Sequence, residues 1–176
     1  MKRLIFLALV GMILLAVAAL GYKIVRVSAE KDAAALRIRT LPDFRFFADS
    51  MGAITPAHVP PEKALVIIHF LPDCHFCQCE AKELAANAAL FGGTHIIWVS
   101  AAESKQIREF GAWHGLAHLP SYTLARDSLR SFGQTFGTAS VPTTFVYSAL
   151  RDGKRSLLKQ FTGETSAEAI RKAIGQ

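Results

Sequence analysis

All three cysteines of the chain fall within LPDCHFCQCE, residues 71–80. Cys74 and Cys77 form a C-x-x-C, and Cys79 follows two positions later. Three chemistries compete for such a cluster: a redox dithiol with a bystander thiol, a thiolate metal site, or small buried hydrophobes. A structural zinc site takes four ligands, and no second C-x-x-C is present. On a helix Cys79 lies about 200° around from Cys77, so three thiolates do not converge. No metal is expected; a copper-binding protein using Cys74, Cys77 or Cys79 with His75 is the alternative from another class. The redox reading follows from context. The pair sits where a buried strand runs into a helix, the setting of a disulfide-exchanging C-x-x-C. Unpaired N–H groups at a helix N-terminus stabilise the thiolate, which is the reactive form of Cys74. Cys77, one turn further on, is within disulfide reach. A protonated His75 favours that thiolate and Asp73 opposes it by like charge. Cys79 is expected to point away from the dithiol, towards packing.

The elements that must position these residues are legible around them. ALVIIHFL, 64–71, is a continuous apolar run, the pattern of a strand covered on both faces. A helix follows from the Cys74 region towards Gly92, with Asp73 as its expected N-cap. THIIWVSA, 94–101, is a second buried strand. Ser100-x-x-Glu103 predicts a capping box for a helix over 103–115. SYTLA, 121–125, gives a short strand, and the segment from Asp127 to Phe136 a short helix. TTFVYSA and SLLKQFT flank RDGK and predict an antiparallel hairpin. Thr165-x-x-Glu168 predicts the cap of a last helix over 166–174. Residues 41–55 suit a small hairpin ahead of these. Strand–helix alternation implies parallel pairing with right-handed crossovers, and the final hairpin adds an antiparallel edge. The fold class is therefore three-layer α/β with a mixed sheet. His69 reads as a core histidine on its strand. His114 and His118 have ligand-like spacing, which Gly115 spoils. Trp98 and Trp113 read as packing residues.

The chain has 176 residues, 51% of them hydrophobic, enough for one domain with a proper core. Leu4 to Tyr22 carries no charge and as a helix would span roughly 28 Å, close to a bilayer's hydrocarbon thickness. Residues 1–22 are expected to be a signal anchor, with a cleaved signal peptide as the competing reading because Ala16-Val17-Ala18 offers an A-x-A site. Residues 23–40 read as a juxtamembrane linker and 41–176 as the folded domain. Lys23, Arg26, Lys31, Arg37 and Arg39 follow the apolar run and work against a simple positive-inside orientation. The net charge of +6 does not signal nucleic acid. Residues 1–40 carry seven Lys/Arg and two Asp/Glu; residues 41–176 carry thirteen and twelve. The basic excess belongs to the membrane-proximal segment, whose partner is lipid headgroups.

VIIHFLPDCHFCQCE, followed far downstream by SVPTTFVY, resembles the thioredoxin fold. More closely, residues 41–174 are similar to the membrane-anchored TlpA/ResA-like thiol–disulfide oxidoreductases. The opening LPDF, the C-x-x-C, Glu80 three residues after Cys77, and FGTASVPTTF carry the likeness. The resemblance implies catalytic Cys74 and Cys77, an acid–base role for Glu80, and a cis Val141-Pro142 bond that offers substrate an extended backbone edge at the dithiol. It implies a redox-active Cys74–Cys77 disulfide in place of any cofactor, protein thiol or disulfide substrates, a membrane electron donor, a monomer, and a single-pass protein of the bacterial inner membrane with its domain in the periplasm. Two positions depart from the pattern: Asp73 replaces an aromatic residue, and Ile68 replaces a buried acid. Peroxiredoxins share the fold, but they carry Thr three residues before the reactive cysteine, where this chain has Leu71.

Overall fold

The apolar run at 64–71 supplies an interior strand of the sheet in the computed structural model, which describes residues 3, 11, 12, 15, 17, 19–23, 25, 26, 33–49 and 51–175. Seven strands contribute: β1 (Phe46–Ala48), β2 (Gly52–Ile54), β3 (Ala64–His69), β4 (Thr94–Ser100), β5 (Tyr122–Arg126), β6 (Thr143–Tyr147) and β7 (Leu157–Thr162). Their spatial order is β2-β1-β5-β4-β3-β6-β7. β3, β4 and β5 are parallel, while β6 runs antiparallel to β3 and β7 antiparallel to β6. The small hairpin expected within 41–55 is β1–β2, attached antiparallel to β5.

Four helices connect and cover the sheet: α1 (His75–Ala86), α2 (Ser104–Trp113), α3 (Phe132–Phe136) and α4 (Ala167–Ile174). All six residues of β3 are buried because both faces are covered. Val66 and Ile68 pack with Leu84 of α1, Phe110 of α2 and Ile170 of α4. Leu65 and Ile67 pack on the other face with Phe46, Phe132 and Phe136. The layers follow from handedness: the crossovers β3-α1-β4-α2-β5 put α1 and α2 on one face, and the reversal after β5 sends α3 to the other.

Three expected caps are displaced. Cys74, not Asp73, is the N-cap of α1. Glu103 is the N-cap of α2 and pairs with Gln106, while the Ser100 hydroxyl accepts from the Ala102 N–H. Ser166, not Thr165, caps α4 by accepting from Ala169 N–H at 3.3 Å. In each case two candidate caps stand close together, and the chain's exit from the preceding loop selects one. The RDGK turn closes as expected: Asp152 and Gly153 both have positive φ (50° and 72°), the geometry of a tight type I′ hairpin.

The chain divides into two compact units, Met1–Leu36 and Arg37–Gln176. The second reaches back beyond residue 41. Thr40 bridges Ser156, Leu157 N–H donates to the Arg39 carbonyl, and Ile38 joins the core. The membrane span expected over 4–22 lies largely outside the described residues. Among those described, no helix is long and apolar enough to cross a membrane.

Candidate active site

α1 begins at the dithiol because β3 ends there. Cys74 has extended backbone (φ −77°, ψ 116°), and its Sγ accepts from the Cys77 N–H at 3.4 Å. The thiol thus occupies the position where a helix offers unpaired amides. Cys74 N–H is held by the Leu71 carbonyl at 3.1 Å, and Gln78 Nε2 donates to the Pro72 carbonyl at 2.9 Å, which fixes the approach loop. Both cysteines are free thiols, Cys74 half-buried and Cys77 fully buried.

The inner stripe of α1 is Cys77, Glu80, Ala81 and Leu84, at helical spacing of three and four. That spacing puts Glu80 on the same face as Cys77. Glu80 is fully buried. Its Oε1 accepts from the Thr144 hydroxyl at 2.8 Å, and its Oε2 has no hydrogen-bond partner among the described residues. Burial pushes the Glu80 carboxyl up to about 8, against the stabilising hydrogen bond from Thr144. Burial also drives the Cys77 thiol far above its ordinary range, and its hydrogen bond with Cys74 and the nearby Glu80 charge add to the rise. Thr144 stands opposite Ile68 across the β3–β6 pair. Glu80 thus brings a buried carboxyl from α1 to the β3–β6 strand pair, at the level of Ile68.

Val141-Pro142 is cis. Cys74 and Val141 both border the core cluster that contains Cys77. The residues flanking Val141 are pinned: Ser140 N–H by the Thr138 hydroxyl at 3.1 Å, and the Pro142 carbonyl by Gly163 N–H at 2.9 Å. Val141 itself makes no hydrogen bond among the described residues. Its backbone is free to pair with an extended segment.

Three expectations need correction. Cys79 does not pack inward; it is half-buried, its Sγ 3.7 Å from His75 Nε2 one helical turn back. His75 accordingly engages Cys79 and not Cys74. Trp113 is 80% exposed, whereas Trp98 is fully buried as expected. The expectation for His114 and His118 holds: His114 caps α2, and left-handed Gly115 separates it from His118, so the two do not share a helix face. Among the described residues no group of three or more His, Cys, Asp or Glu side chains is placed to hold a metal ion.

Sequence reasoning missed three residues, two that shape this region and one at the opposite end of β3. Thr144 reads as an ordinary strand residue. Asp127, buried, accepts from Ser131 N–H, the Ser131 hydroxyl and Phe132 N–H, and so starts α3. Its spacing to Ser131 was the available signal. Arg155, 3% exposed, donates to the carbonyls of Lys63, Ser148, Val59 and Pro60 and ties the last hairpin to the start of β3.

No protein-family model matches the chain, and no curated protein matches it. Solved structures do. A thio-disulfide isomerase from Thermus thermophilus is 26% identical, with a TM-score of 0.56 over 76% of this chain and 90% of that chain. A secreted Mycobacterium tuberculosis disulfide oxidoreductase homologous to E. coli DsbE is 19% identical, with a TM-score of 0.60 over 79% and 96%. The fold is thioredoxin-like. StoA from Bacillus subtilis aligns at 14% identity with a TM-score of 0.57, over 74% of this chain and 95% of that one. The structural neighbours of this thioredoxin-like chain are thiol–disulfide oxidoreductases.

Proposed function

We propose that the chain is a thiol–disulfide oxidoreductase that exchanges disulfides with protein substrates through Cys74 and Cys77, tethered to the membrane by residues 4–22 with its domain outside the bacterial cytoplasm. The observation that carries the chemistry is the asymmetry of the dithiol. Cys74 is accessible at a helix N-terminus with an N–H on its sulfur, while Cys77 is sealed beneath it on the same helix face as a buried carboxyl. In the reducing direction the Cys74 thiolate attacks one sulfur of a substrate disulfide. A Cys74–substrate S–S bond forms, and the other substrate sulfur leaves as a thiolate that takes up a proton. Cys77 then attacks the Cys74 sulfur, the Cys74–Cys77 disulfide forms, and the first substrate sulfur departs. Cys77 must lose its proton in that step, although burial holds the proton tightly. The Glu80 carboxylate accepts it and returns it to the departing thiolate. The tether rests on the length of the apolar run at 4–22. The apolar rim around Cys74, with Leu71 and Phe76 exposed, suits protein rather than small-molecule disulfides.

Trapping tests the assignment. Full-length Cys77→Ser and Cys74→Ser variants, each also carrying Cys79→Ala, are incubated with a disulfide-bonded protein and resolved on non-reducing gels. Cys77→Ser accumulates the mixed disulfide because no thiol resolves it, and Cys74→Ser forms none. Equal trapping by both variants, or by neither, defeats the proposal.

A further inference from the structure

His69 is the one polar side chain among the six residues of β3, and the chemistry above gives it no task. It is 9% exposed, and its ring stacks on Phe132 with centroids 4.1 Å apart and planes 14° from parallel. Phe132 is the first residue of α3, and Asp127 Oδ2 holds its N–H at 2.8 Å. The histidine ring is therefore held in one orientation. Its Nδ1 lies 3.2 Å from the Ser140 carbonyl. A carbonyl oxygen only accepts, so Nδ1 carries the hydrogen. Burial keeps the ring below its ordinary pKa, which favours the neutral form with an Nε2 lone pair. The same carbonyl accepts from the Thr143 hydroxyl at 2.8 Å, and Thr143 stands opposite His69 across the β3–β6 pair. Both lone pairs of the Ser140 oxygen are engaged, one residue before the unpaired backbone of Val141.

Resting on the proposed disulfide exchange, we infer that His69 is a positioning residue for substrate. By holding the Ser140 carbonyl it fixes the peptide plane that ends at Val141 N–H, and so presents that edge to an extended, cysteine-bearing segment of a protein substrate. It touches neither sulfur. Its loss therefore weakens the capture of substrates that pair through their backbone and spares disulfides that have none. A phenylalanine at the same position would stack as well on Phe132, so the hydrogen bond is the part of the side chain that the inference requires.

The test compares two substrates on the full-length chain: insulin, whose disulfides lie in polypeptide, and hydroxyethyl disulfide, which offers no backbone. The readout is the ratio of their kcat/KM values. His69→Phe keeps the stack and removes the donor; the ratio falls about three- to tenfold, through KM for insulin, as expected for one lost hydrogen bond. His69→Asn restores an N–H near the Nδ1 position and returns the ratio to within about twofold of wild type. An unchanged ratio in His69→Phe overturns the inference, as does a loss that His69→Asn does not restore. Should His69→Phe not fold, Thr143→Val decides, because it strips the other donor from the same carbonyl: a fallen ratio upholds positioning through Ser140, and an unchanged one overturns it. A wild-type chain that reduces neither substrate refutes the proposed function instead.

Discussion

Replacing Glu80 by Gln isolates the proton that burial places on this carboxyl. In the folded chain the group is raised from 4.5 to about 8, mainly by burial. In the unfolded chain it returns to the ordinary glutamate range. Its folded-state pKa is therefore raised, so the contribution to stability is full below the unfolded value and is lost as pH rises towards about 8. Between those limits the folded state keeps a proton that the unfolded state has released. Each pH unit lowers stability by about 1.4 kcal/mol, or about 3 kcal/mol between about pH 5.5 and 7.5. Glutamine is neutral at every pH and still accepts the Thr144 hydrogen bond, so this slope disappears in the variant. Urea unfolding of both proteins under reducing conditions, across that range, gives the difference in stability at each pH. Contributions from other groups cancel in that difference. We expect the wild type to lose ground steadily against Glu80→Gln as pH rises. A difference that stays constant within about 0.5 kcal/mol refutes a protonated, buried Glu80, because a carboxylate already ionised at neutral pH gives no slope there. The same proton governs kinetics. Release of the first substrate thiol from the mixed disulfide should accelerate up to about pH 8 in wild type and lose that break in Glu80→Gln.

Further outcomes follow from burial and hydrogen bonding. Cys79→Ala should keep insulin reduction within a few-fold of wild type and shift stability by no more than about 0.5 kcal/mol, since the thiol is half-buried and its Sγ faces His75 Nε2 across 3.7 Å; equilibrium unfolding and an activity assay check both. Trp113→Phe should remove most of the iodide-quenchable tryptophan fluorescence, because Trp113 is 80% exposed while Trp98 is fully buried; quenching that persists would place the exposed indole elsewhere. Arg155→Met should cost on the order of 3 kcal/mol in urea unfolding, because it strips a charged donor from four carbonyls at once. A loss below 1 kcal/mol, on the order of one neutral hydrogen bond, would mean that water replaces the guanidinium.

Strand order in the chain, the dithiol at a strand–helix junction and the closing hairpin were written locally. Continuous apolar runs mark β3 and β4, a C-x-x-C follows β3 directly, and Asp152-Gly153 supplies the two positive φ angles of the turn. Helical spacing alone placed Glu80 on the face of Cys77. Such features need only a few adjacent residues to decide them. The caps of α1 and α4 went to the residue next to the expected one, and that of α2 to Glu103, three residues on from Ser100, because the choice between nearby side chains depends on the direction from which the chain arrives. Trp113 and Cys79 were misplaced for a related reason: periodicity shows which residues share a face, and only the packed neighbours show whether that face is covered. The protonation of Glu80 depends on its burial and on Thr144, sixty-four residues away. The link from His69 to Ser140 crosses seventy-one residues. No local pattern encodes either contact. Each arises when the antiparallel pairing of β3 with β6 fixes which side chains meet, and the electrostatics of the site follow from that register.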